Sequence, residues 1–188
     1  MTDFRLSFNG SIHEPQANAL RTRIAQILER QDCESLCVLF SSEGGGTDQS
    51  VSLYNFLRHL PRPIHMHAVG HVGSTAIPVF LGGHQRTCAP TARFFFHVYD
   101  WGFEGRQTLG RISEAMVRLE SDIAAARTIV GERTRIPPER LGEMYRSDPK
   151  PTIYTPEEAR KVGIVSDILL LNPGGQPEPN VAVWTVGW

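Results

Sequence analysis

Leu36-Cys37-Val38-Leu39-Phe40 is an unbroken apolar run, and Ser41-Ser42-Glu43-Gly44-Gly45-Gly46 follows it at once. An apolar run that does not alternate reads as a strand buried on both faces, the kind that lies inside a parallel sheet. The glycines turn the chain at the carboxyl end of that strand. Thr47 or Asp48 is the expected cap of the helix beyond, whose apolar face is Leu53, Phe56, Leu57 and Leu60. Buried strand, glycine turn and helix in that order indicate an α/β unit.

The same unit recurs on either side. Phe4, Leu6 and Phe8 alternate with polar residues and stop at Asn9-Gly10, a short strand. Pro15 stands near a helix start, and Leu20, Ile24, Ile27 and Leu28 recur at helical spacing. Pro61-Arg62-Pro63 breaks the second helix, and Ile64 to Val69 forms a strand that ends at Gly70. A short apolar helix runs from Ser74 to Leu81, and a further strand from Arg93 to Val98. Leu109, Ile112, Met116, Leu119, Ile123, Ala126 and Val130 then recur by threes and fours, a long helix with a heptad-like seam. Pro156-Glu157-Glu158-Ala159 opens a last short helix, and Gly163-Ile164-Val165 returns to a strand. The Pro/Gly-rich residues 172–188 read as a loose C-terminal arm, leaving 1–171 as a single domain.

Composition narrows the function. The chain has 188 residues, 40% hydrophobic and 21% charged, with a net charge of −1, enough for one domain with a full core. There is no basic run, so nucleic acid is not an expected partner. No apolar stretch is long enough to span a bilayer, and Met1-Thr2-Asp3-Phe4 does not begin a signal peptide, so the expectation is a cytoplasmic protein. Cys33, Cys37 and Cys88 are an odd count at spacings that suit no framework, and read as free thiols. His65 and His67 share a strand face and His71 is close by, but no cysteine or carboxylate accompanies them; neither metal nor cofactor is expected.

Three features carry chemistry. Gly44 to Gly46 lie where open α/β sheets place their sites, and glycines there let backbone N–H groups face a ligand. Ser74 follows a strand and Gly73 and precedes a helix, an elbow that projects its hydroxyl into the crevice. His97 ends Phe94-Phe95-Phe96, on the opposite side of its strand from Phe96, and an imidazole there can accept the serine proton. Each alone reads more readily as a tight turn, a helix cap or a packed histidine. Together they supply oxyanion donors, a nucleophile and a base.

In order and spacing these words resemble the proteolytic subunits of Clp proteases, within the wider ClpP/crotonase superfamily. That family has Asn-Ser-Pro-Gly-Gly where this chain has Ser41-Ser42-Glu43-Gly44-Gly45. Its nucleophile lies in Gly-x-Ala-Ala-Ser-Met-Gly-Ala, here Gly70-His71-Val72-Gly73-Ser74-Thr75-Ala76-Ile77. Its base lies in Pro-x-x-Arg-x-x-x-His, here Pro90-Thr91-Ala92-Arg93-Phe94-Phe95-Phe96-His97. The resemblance covers about Phe4 to Ile168. It implies stacked β-α units with a protruding handle helix, and a serine peptidase with Ser74 as nucleophile, His97 as base and the N–H groups of Gly44 and Thr75 as oxyanion donors. The family's acid falls at Asp148 counted forward from Thr134, or at Lys150 counted back from Pro156; Asp148 is the choice, with Asp100 and Glu104 in reserve.

The handle corresponds to residues 109–130, whose seam is too long for one subunit, so a homo-oligomer of ring or stacked-ring type is expected. The substrate would be a peptide or an unfolded chain. The family's N-terminal axial loop and leading helix have no counterpart in this sequence, so the resemblance does not carry docking of a Clp-type ATPase, and a stand-alone peptidase is expected. Two other readings stay open. One is a scaffold that keeps fold and assembly without turnover; the other is an acyl-CoA enzyme of crotonase type, in which Ser74 and His97 would be idle.

Overall fold

The structure is a computed structural model that describes residues 2–97, 99, 102–146, 150–172, 174–175 and 181–186. Its first half alternates as the apolar pattern requires: β1 (Thr2–Asn9), α1 (Glu14–Leu28), β2 (Cys33–Ser42), α2 (Thr47–His59), β3 (His65–Gly73) and α3 (Ala76–Leu81). Then come β4 (Gln85–Cys88), β5 (Arg93–Phe96), the long α4 (Leu109–Arg133) and α5 (Pro138–Met144). The chain continues through β6 (Thr152–Tyr154), α6 (Pro156–Lys161), β7 (Asp167–Ile168) and β8 (Val181–Thr185).

The strands form one sheet in the order β6-β5-β3-β2-β1-β8, with β4 paired to β3 and to β7. Every pairing is parallel except β5 with β6. The core lies on one face. Phe4, Leu6 and Phe8 of β1, Val38 and Phe40 of β2, and Met66, Ala68 and Val72 of β3 are buried in one cluster with Leu20, Ile24 and Ile27 of α1 and Leu53 and Leu57 of α2. All six residues of α3 are buried. Pro78 fits there because it falls in the first turn, where its missing N–H leaves no bond unmade.

β3 changes partner along its length, from β4 beside His65 to Ala68 to β5 beside His71 to Gly73. A register shift against β2 between Phe40 and Ser42 accompanies the change. β3 therefore runs past Gly70, where the sequence put its end, and delivers the chain directly into the elbow at Ser74.

Other departures are local. Gly46, not Thr47 or Asp48, is the N-cap of α2. β4 and β6 were not anticipated, being four and three residues long and too short to show a period. Ile164 and Val165 are buried, but the strand that follows them begins at Asp167. Residues 172–188 are not wholly a loose arm: Val181–Thr185 pair in parallel with β1 as β8. Trp184 holds that strand down, edge-on to Phe4 at 6.2 Å between centroids and 5.3 Å from the Arg23 guanidinium.

Candidate active site

The carboxyl ends of β2, β3 and β5 lie side by side and bring the three sequence features to one sheet edge, as the parallel topology requires. Ser74 sits directly after β3. Its φ is +53°, and it is the one non-glycine residue at positive φ among those described. A left-handed serine costs roughly 1–2 kcal/mol that the surroundings must hold in place, and such strain gathers at functional sites. Its N–H donates to the Phe95 carbonyl at 2.8 Å, and its own carbonyl accepts from Ile77 N–H at 3.1 Å. The hydroxyl is not spent on capping: Thr75 is the N-cap of α3, and no side chain caps that helix.

The glycine turn presses on this elbow. Gly44 has φ +103°, and a Cβ placed on it would stand 2.9 Å from Ser74 Cβ and 3.0 Å from the Gly73 carbonyl. No other residue fits there. Of the two anticipated oxyanion donors, the Gly44 N–H donates to Ser42 Oγ at 3.1 Å. The Thr75 N–H has no intramolecular acceptor among the described residues.

His97 stands just past β5. Gly73 faces Phe95 in the β3–β5 register, so His97 lies one residue beyond the position beside Ser74. Phe94 and Phe96 turn into the core, and Phe95 and His97 stack on the other face at 5.1 Å with ring planes 26° apart. Among the described residues no hydrogen bond joins the Ser74 hydroxyl to the His97 ring. Ser74 and His97 thus share a sheet edge without a hydrogen bond between them among the described residues.

Asp148 lies outside the described residues, as does Asp100. Glu104 is described and exposed, as is Lys150, whose carbonyl accepts from Thr152 Oγ1 at 3.3 Å. The described carboxylate at the glycine turn is Glu43. Its Oε2 lies 3.1 Å from His71 Nε2, near enough for an ion pair but without hydrogen-bond alignment.

His65 Nε2 and His67 Nδ1 converge on the Thr87 hydroxyl, at 2.6 and 2.7 Å. One hydroxyl proton can serve one ring, so the other ring donates. Burial pushes His67 down to about 4 and lowers His65 as well, which favours the neutral form of both rings.

The side chains of Ser42 and Thr75 escaped the sequence reading. Ser42 was within reach of it, since a serine two residues before a glycine is a turn-forming spacing. The Thr75 contact had no local signal, because its partner Gly45 lies thirty residues away across two strands.

The Clp protease family profile matches residues 1–171 of the chain. The ATP-dependent Clp protease proteolytic subunit 1 of Rhodopirellula baltica is 22% identical over 175 residues, covering 90% of this chain and 73% of the relative. The ATP-dependent Clp protease proteolytic subunit of Pleurastrum terricola is 24% identical over 159 residues, covering 83% and 78%. Among solved structures, a ClpP1 mutant from Listeria monocytogenes superposes with a TM-score of 0.72 at 16% identity, covering 88% of this chain and 90% of that one. With a glycine turn, a strained serine and a strand-end histidine in matching order, and a profile that spans nearly all of it, the chain belongs to the Clp protease family.

Proposed function

We propose that the protein is a serine peptidase that cleaves peptide bonds in short or unfolded chains through an acyl-enzyme. The observation that carries this reading is the left-handed Ser74, held against a glycine turn with its hydroxyl making no hydrogen bond among the described residues. Ser74 Oγ attacks the scissile carbonyl carbon as its proton passes to His97. The tetrahedral oxyanion is received by the Thr75 N–H and by the Gly44 N–H, which turns from Ser42 Oγ toward the stronger acceptor. The C–N bond then breaks, and the amine leaves with the proton His97 took. Water, deprotonated by His97, releases the acyl group. Asp148 is the residue we assign to orient the imidazole.

Residues 1–171 form the working unit in this reading. Leu109, Met116 and Val117 on the first half of α4 are 80%, 58% and 66% exposed, which suits a helix that joins subunits of a homo-oligomer. The free thiols of Cys33, Cys37 and Cys88 suit the cytoplasm. Among the described residues no helix is long and apolar enough to cross a membrane.

The test is hydrolysis of a quenched-fluorescence peptide and of unfolded casein. The wild-type protein cleaves them, and Ser74→Ala loses about a thousandfold or more of kcat. An inert wild-type protein, or an active Ser74→Ala variant, overturns the reading.

A further inference from the structure

Three glycines in a row carry no side chains by which packing could hold them, and glycine loses the most freedom on being ordered. Residues 44–46 must therefore be held through their backbone. One side is tied to the segment after β1: Ile12 N–H donates to the Gly44 carbonyl at 2.8 Å, and Gly46 N–H donates to the Ile12 carbonyl at 2.7 Å. Ser42 Oγ holds the Gly44 N–H and Ser50 the Gly46 carbonyl, and toward the elbow after β3 the tie among the described residues is made by one side-chain atom. Thr75 Oγ1 accepts from Gly45 N–H at 2.8 Å and donates to the Gly45 carbonyl at 3.2 Å.

We propose that Thr75 is a positioning residue for the oxyanion pocket: its hydroxyl clasps both backbone polar groups of Gly45 and so holds the adjoining Gly44 backbone beside Ser74, from where its N–H can turn from Ser42 Oγ to an oxyanion. The proposal rests on the peptidase reading of Ser74. Two further observations support it. Thr75 is the N-cap of α3, where a threonine usually spends its hydroxyl on the helix, yet no side-chain capping bond is made; the hydroxyl is turned to the glycine loop instead. It is also 4% exposed, so losing Gly45 would leave a buried hydroxyl unpaired. Space is tight enough for small shifts to matter, since a Cβ on Gly44 would be 3.0 Å from Thr75 Oγ1.

The experiment compares Thr75→Val, which keeps the shape and the backbone N–H but loses the hydroxyl, with Thr75→Ser, which keeps the hydroxyl. Misplacing the loop lowers kcat in Thr75→Val by about tenfold or more with KM nearly unchanged, and Thr75→Ser stays within about threefold of wild type. Affinity for a peptide boronic acid, whose tetrahedral adduct places an anionic oxygen in the pocket, falls with kcat. Affinity for the cleaved product peptide does not. Thr75→Ala replaces the valine variant in the comparison if that variant does not fold. A wild-type kcat in Thr75→Val, an equal loss in Thr75→Ser, or a matching loss of product binding overturns the proposal while leaving the peptidase reading intact. Absence of turnover in the wild-type protein overturns the peptidase reading itself.

Discussion

At the residue scale the protein accepts strain at Ser74 to present a hydroxyl. That strain gives the position a measurable signature. Glycine adopts positive φ without penalty, so Ser74→Gly and Ser74→Ala both lose hydrolysis, yet the glycine variant is the more stable by about 1 kcal/mol, or about 3 °C in Tm by calorimetry. Equal melting temperatures would mean that the left-handed serine stores no strain. The serine's place after a strand and before a helix was legible in the sequence; its backbone angle was not. Gly70-His71-Val72-Gly73-Ser74 fixes composition, whereas the angle follows from Phe95, whose carbonyl takes the Ser74 N–H, and from Gly44, whose missing Cβ leaves the room. The histidine was legible as a strand-end residue because Phe94 and Phe96 mark the buried side. The acid proposed to partner His97 was not, since two counts through the prolines between Asp148 and Pro156 disagree, and spacing cannot choose between them.

At the element scale β3 does most of the positioning. It pairs first with β4 and then with β5, and the first half is fastened by the two imidazoles on Thr87. The unfolded His67 titrates near 6.5, and burial holds the folded ring at about 4. Between those values the unfolded chain binds a proton that the folded chain refuses, so stability falls as pH drops through that window. The lowered His65 acts in the same direction. His67→Gln removes one of these groups, and its Tm therefore falls less than that of wild type between pH 6.5 and 4, by about 3 °C or more. Identical profiles would show that His67 is not held neutral. Apolar periodicity made β1, α1 and α2 readable because each has a face of several buried residues, and β2 was readable as an unbroken apolar run. β8 was obscured by the Pro/Gly-rich residues ahead of it. Its order comes from a distant partner, β1, and from Trp184 on Phe4 and Arg23.

At the scale of the whole molecule, one face of the sheet is packed by α1, α2 and α3, and α4 is engaged along part of its length. Ala126, Ile129 and Val130 near its end are buried, while Leu109, Met116 and Val117 near its start are exposed. The heptad-like seam read from the sequence is thus satisfied internally at one end alone. Leu109→Glu combined with Met116→Glu is expected to shift sedimentation from an oligomer toward the monomer with the fold intact; a monomeric wild-type protein would remove the assembly from the account. The central claim concerns the sheet edge where β2, β3 and β5 end, and it is tested most directly by fluorophosphonate labelling read by peptide mass mapping. The account predicts a single phosphonyl adduct on Ser74 in the folded wild-type protein, strongly reduced in a folded His97→Ala variant. A folded protein that takes no adduct at Ser74, or takes it equally well without the His97 imidazole, contradicts it.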